Sequence, residues 1–169
     1  GKKTTIYFVA RTDAGVHAIA QYVSVPVTEA ELALPARRLM HGLSALLPDD
    51  ISPACLYRAP KGFSARFDAR ARSYRYRIVA GEARPVLAWG HSWWLRNELD
   101  VSSMHEAAQA LVGEHDFKSF CKATSAEGKP THRFVARCDV SEAEECGERV
   151  VCIDVVGNAF LHSMVRTIA

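Results

Sequence analysis

The chain has 169 residues, is 49% hydrophobic and carries a formal charge of +2, which is length enough for one sizeable core and an ordinary composition for a globular protein. No apolar run approaches the ~20 residues of a membrane-spanning helix, and Lys2 and Lys3 are not followed by the apolar stretch of a secretory signal, so no membrane association and a cytoplasmic location are expected. Five cysteines without a Cys-x-x-Cys pair argue against a disulfide framework and a thiolate zinc site, and seven scattered histidines offer no ligand spacing, so no catalytic metal is expected.

In chain order, Thr4 to Ala10 is β-branched and aromatic and predicts a buried strand, and His17 to Val25 continues as a second. Pro35 to Leu47 predicts a helix with Pro near its first turn and Leu39, Leu43 and Leu46 on one stripe, ended by Pro48-Asp49-Asp50. Ile51 to Arg58 reads as a strand. Ser73 to Val79 is a stronger one, whose alternation puts Tyr74, Tyr76 and Ile78 on one face and Arg75 and Arg77 on the other. Ser102 to Val112 predicts a helix with Ser or Asp as N-cap, Met104, Ala107, Ala108 and Leu111 facing inward, and Gly113 as terminator. His132 to Val140 and Glu148 to Val156 form a hairpin with the acidic tip Ser141 to Gly147, and Leu161, Met164, Val165 and Ile168 recur at helical spacing. With no repeat or low-complexity linker, the chain reads as one domain over 1–169, an α+β fold with a mixed or antiparallel sheet and helices packed on one face.

Two stretches carry chemistry. Arg11-Thr12-Asp13-Ala14-Gly15-Val16-His17-Ala18 puts a carboxylate in a glycine-containing loop straight after a strand, where it serves as nucleophile, as general base or as the closing residue of a turn. From Arg58 to Arg77 the cations Arg58, Lys61, Arg66, Arg70, Arg72, Arg75 and Arg77 face one acid, Asp68, with Phe63, Phe67, Tyr74 and Tyr76 interleaved. Cations that neutralise phosphates and rings that stack on bases make up a nucleic-acid groove, while for Arg75 and Arg77 a solvated strand face is an equal reading.

The Asp13 string resembles, letter for letter, the signature of the A-type tRNA pseudouridine synthases. Further motifs of that family are matched in order: Leu43 to Ile51; Phe63 to Ala69 with Tyr74-Arg75-Tyr76; Gly113 to Phe117 with Ser119-Phe120; and Asn158 to Leu161 with Met164-Val165-Arg166. Ala10 and Ser44 depart from it, standing where Gly and Asn are usual. The family's opening Gly-Trp-Gln segment and its continuation past the last arginine are not found, so a fragment of a longer enzyme is expected.

The resemblance implies a pseudouridine synthase fold and an isomerisation in tRNA that needs no cofactor. It implies Asp13 as the catalytic aspartate, Arg166 as its ion-pair partner, and Tyr74 as the ring that stacks on an extruded uracil and helps proton transfer. Arg11, Arg66, Arg70 and Arg72 become RNA contacts, since a guanidinium is no base near neutral pH. It further implies uridines of the anticodon stem-loop, positions 38, 39 and 40, as targets, and a homodimer as the full-length form. A non-catalytic RNA-binding module on the same fold is the alternative. His17 and His115 are expected to make backbone hydrogen bonds rather than to catalyse.

Overall fold

The computed structural model describes residues 4–145 and 147–169. The chain divides into two compact units, one of residues up to Arg11 with Ile19–Asp68, the other of Thr12–Ala18 with Ala69–Ala169. Among the described residues, no helix is long and apolar enough to cross a membrane.

In the smaller unit, β1 (Tyr7–Phe8) pairs antiparallel with β2 (Val23–Ser24), extended by a bond from the Val9 amide to the Tyr22 carbonyl. These are far shorter than the strands expected over Thr4–Ala10 and His17–Val25, and the first is not buried: Tyr7 and Phe8 are exposed. The residues have strand propensity but, among those described, pair with β2 alone, and β propensity records a fit to neighbours rather than a preference of the isolated backbone. Helix α1 (Glu29–Leu32) starts at Thr28, whose hydroxyl and Glu31 form a capping box. Helix α2 (Ala36–Leu46) follows Pro35 as expected and stops at Leu47 before Pro48. Its leucine stripe does not reach a core, since Leu43 and Leu46 are exposed. The strand expected over Ile51–Arg58 does not form; this segment, interrupted by Pro53 with no amide to give to a ladder, has no regular structure. Ala65 is buried instead, where Ser24 accepts its amide at 3.0 Å and Asp68 closes the turn by accepting from Ser64 at 2.7 Å.

The larger unit is a five-stranded sheet. Strands β3 (Arg72–Ala80), β4 (Trp93–Leu95), β5 (Gly113–Asp116), β6 (His132–Glu145) and β7 (Glu148–Gly157) lie in the order β4-β3-β7-β6-β5, antiparallel except for β3 beside β4. The β6–β7 hairpin runs further than expected: Ser141 to Glu145 continue the ladder, Ser141 opposite Cys152 and Glu145 opposite Glu148. Carboxylates that read as a solvated tip are instead paired, Glu142 with Arg149 and Glu145 with Arg77. Strands β4 and β5 add to the elements expected from sequence; β5 occupies the Gly113-Glu114-His115-Asp116 string.

Helix α3 (Val101–Gln109) begins at Asp100, whose carboxylate accepts from the Ser103 amide at 3.0 Å. Met104, Ala108 and Leu111 pack inward, whereas Ala107 is exposed. A 3-10 turn (Lys118–Phe120), the short helix α4 (Ala123–Ala126) and the final helix α5 (Met164–Ile168) complete the unit. Residues of α3 and α5 share one core with Ile78, Phe117, Val135, Cys138, Val151, Ile153 and Val155, so these helices cover a single face of the sheet. The predicted alternation of β3 holds: Tyr76 and Ile78 join that core while Arg75 and Arg77 emerge on the other face.

On that second face Arg75 makes a bidentate pair with Asp154, both contacts at 2.8 Å, and Arg77 meets Glu145 at 2.5 Å. Hydrogen bonds from Arg75 hold the Asp154 carboxyl below the usual carboxylate range, and Arg77 does the same for Glu145. Groups depressed by folding stabilise fully above their ordinary values near 4 and lose that stabilisation as pH falls through the depressed ones. Asp154→Asn, which leaves Arg75 without its bidentate partner, is expected to lower the unfolding midpoint at pH 7, with the gap to the parent closing below about pH 4. Thermal melts of both proteins between pH 7 and 2 check this; a gap independent of pH would place the effect elsewhere.

Candidate active site

Gly157 ends β7 where a side chain has no room: a Cβ there would lie 2.9 Å from the Phe134 carbonyl oxygen and 3.2 Å from the Phe160 ring. Asn158 then locks the departing chain to β6, exchanging backbone and side-chain bonds with Phe134, and its own carbonyl accepts from Arg72 at 2.6 Å. Phe160 packs edge-on against Tyr74 with ring centroids 5.0 Å apart. Leu161 joins the core and Met164 is fully buried, so the segment between them is pinned at both ends. Ser163 makes the turn into α5 in the left-handed region at φ 65°, a conformation that costs a residue with a Cβ on the order of 1 kcal/mol.

Against this segment lies the Asp13 loop, part of the same unit. The Val16 amide donates to the Asp13 carbonyl at 3.2 Å and Gly15 sits at φ 79°, a turn that needs positive φ at its third position. The backbone of Asp13 thus closes the turn, and its carboxylate is left for other partners. One oxygen, Oδ2, faces Arg166 Nε at 3.7 Å; the other, Oδ1, faces His162 Nε2 at 3.4 Å. Arg166 also donates from Nη2 to the Ala14 carbonyl at 3.2 Å, fastening the loop next to the carboxylate. The two side-chain contacts are longer than charge-assisted hydrogen bonds. Asp13 is one-third exposed, open enough to meet a substrate.

Tyr74, on the core face of β3, is close enough to feel this charge. Burial pushes its hydroxyl up, Arg72 opposes that, and the Asp13 carboxylate adds to it. The phenol is therefore neutral near pH 7 and offers a ring face and an O–H donor rather than a standing base.

Asp13, Arg166, Tyr74 and Arg72 are thus gathered in one unit; Arg70 is exposed in the same unit, while Arg11 and Arg66 belong to the smaller one, where Arg66 stacks on Phe67 at 5.3 Å. In the basic run, Arg75 and Arg77 are committed to carboxylates and Arg58 to the Leu32 carbonyl. His115 bonds the Val112 carbonyl at 3.0 Å and packs under Gly113, as expected of it; His17 packs on His91 with centroids 4.4 Å apart. Sequence reasoning misses His162. The only signal for it is position: it stands between two core residues in the string that ends at Arg166.

A family model described as tRNA pseudouridine synthase matches residues 107–169, which takes in His162 and Arg166. Whole-chain similarity extends to Asp13 and Tyr74. A tRNA pseudouridine synthase A of Geotalea uraniireducens is 42% identical over 169 residues, all of this chain and 66% of that protein. One of Nitrosomonas eutropha is 39% identical over 158 residues, 94% of this chain and 54% of its own length, and one of Caldicellulosiruptor bescii is 36% identical over 169 residues, again all of this chain and 66% of the relative. The chain accordingly spans between about half and two thirds of these relatives. Taken with an α+β sheet and a loop aspartate facing the arginine of the final motif, these matches mean that the chain belongs to the tRNA pseudouridine synthase family.

Proposed function

We propose that this chain carries the catalytic centre of a tRNA pseudouridine synthase, with Asp13 as the essential carboxylate, Arg166 its partner and Tyr74 the ring that meets the base. The observation that carries the reading is the Asp13 carboxylate set between Arg166 and His162 beside a half-buried tyrosine. The reaction breaks the bond between uracil N1 and the ribose C1′, turns the base and joins C5 to C1′; the C5 proton leaves to solvent and N1 takes up a proton in its place. Atoms and electrons balance without a redox partner or group donor, so no cofactor is called for. A carboxylate serves this chemistry by adding to the base or by acting at the ribose, and both roles require it ionised and aimed. Arg166 supplies the aim, facing Oδ2 with Nε and fixing the loop through the Ala14 carbonyl.

The substrate must be extruded from its stack, and the exposed part of Tyr74 offers the flipped base a face. Arg11, Arg66, Arg70 and Arg72 are proposed as contacts to the RNA backbone, which position the substrate without reading its sequence. We place the targets among uridines of the tRNA anticodon stem-loop, at positions 38, 39 and 40, with a homodimer as the working form of the full-length protein and the cytoplasm as its location.

Release of tritium from tRNA carrying 5-tritiated uridine tests the reading, run on this chain and on a version extended to the length of its relatives. Asp13→Ala is expected to lose at least about a thousandfold in rate with RNA binding retained. Binding without release in any version would favour the non-catalytic RNA-binding module instead. Arg166→Lys keeps the charge but not the planar fork, and a loss of about tenfold or more, ~1.4 kcal/mol of transition-state stabilisation, is expected. Tyr74→Phe keeps the ring; unchanged RNA affinity with turnover reduced about tenfold is expected, and full turnover would confine Tyr74 to stacking.

A further inference from the structure

We propose that His162 is a second positioning residue for Asp13, holding the carboxylate oxygen that Arg166 does not reach; this rests on the function proposed above. The two partners divide the carboxylate between them. Arg166 Nε faces Oδ2 and His162 Nε2 faces Oδ1, from positions on either side of the turn into α5. An arginine on one oxygen alone leaves the carboxylate plane free to swivel about its last torsion, which is a broad one. A donor on the second oxygen removes that freedom. At 3.4 Å the contact is longer than a made hydrogen bond, and as the two groups close up Nε2 can donate to Oδ1 whenever it carries the ring proton, in the neutral Nε2–H tautomer as in the imidazolium, so the role does not need a charged histidine.

The backbone around His162 points to the same role. Leu161 and Met164 anchor the segment in the core, yet His162 itself is nearly half exposed and contributes little to packing. Its direction is set by Ser163, the one non-glycine residue with positive φ among those described, with Thr167 donating its amide and hydroxyl back to the Ser163 carbonyl. Strain of this kind persists where the surrounding structure over-determines it, and here it turns the chain so that His162 and Arg166 face one carboxylate. Residues held this way fix a reacting group within the narrow geometry that turnover needs.

The test uses the full-length protein and compares His162→Phe, His162→Gln and Asp13→Ala for single-turnover tritium release, with tRNA affinity and melting temperature measured separately. Glutamine carries a neutral N–H donor at about the reach of Nε2, whereas phenylalanine keeps the ring and loses the donor. The expected result is a rate about tenfold lower in His162→Phe at unchanged affinity, restored by His162→Gln to within about threefold of the parent. A normal rate in His162→Phe overturns the proposal. So does a loss that resides in affinity alone, which would make His162 an RNA contact, or an equal loss in both variants with a lowered melting temperature. Asp13→Ala at the parental rate would instead overturn the proposed function, so the two failures are distinguishable.

Discussion

The burial of β7 on both faces is the constraint on which the larger unit depends. Val150, Val151, Cys152, Ile153 and Val155 are each at most 4% exposed, so this strand has no solvent side and its sequence shows a nearly continuous apolar run rather than alternation. Such a strand must have a neighbour on each edge and cover on each face. The edges are taken by β3 and β6; one face is covered by α3, α5 and Phe117, and on the other the aliphatic residues Val79 and Ala88 meet Val150 and Cys152. Asp154 is the polar exception within the run, and its bidentate arginine is the condition for its being there. Glu148 at the other end of the strand accepts the amides of Val86, Leu87 and Ala88, holding the connection that brings β4 alongside β3.

The candidate site inherits its rigidity from the same strand. Where β7 stops at Gly157, the chain cannot wander, because Asn158 is bonded to Phe134 on β6 and to Arg72 on β3. The segment from Ala159 to Arg166 is therefore aimed by two strands at once. Tyr74 stands on one of those strands, and Phe160, packed on its ring, ties the aromatic that would face a base to the segment that holds His162 and Arg166. A loop aspartate in a surface turn becomes a defined feature only by leaning on this frame.

Much of this is legible in the sequence, and the failures share a cause. The elements that sequence and structure agree on, α2, β3, α3 and the paired strands β6 and β7, have long periodic patterns or clear terminators. The strands expected over Thr4–Ala10 and Ile51–Arg58 rest on composition, which reports what a residue would do given a neighbour, and the smaller unit supplies few neighbours: Ala65 is its one buried residue among those described. The acidic stretch Ser141–Glu145 reads as a turn because carboxylates are usually solvated, and it is strand because Arg77 and Arg149 stand across from it. Thr28 and Glu31 spell a capping box that periodicity alone passes over. Asp13 and Arg166 are legible through their motifs, whereas His162 is not, since nothing in a histidine's local sequence says which distant side chain it will face.

The contact from Arg166 to the Asp13 loop joins residues 152 positions apart. A loop of that length carries a large closure entropy, so the contact forms only after the sheet has already brought its ends together. During synthesis the aspartate emerges well before Arg166 and has no clamp until the stretch around Arg166 has been made and has turned at Ser163. A nascent chain therefore passes through a stage in which the sheet is largely assembled and the carboxylate is still loose. The carboxylate gains its clamp only once the stretch around Arg166 has joined the sheet, so a chain cut before that stretch carries the turn of Asp13 without the side chains that face it.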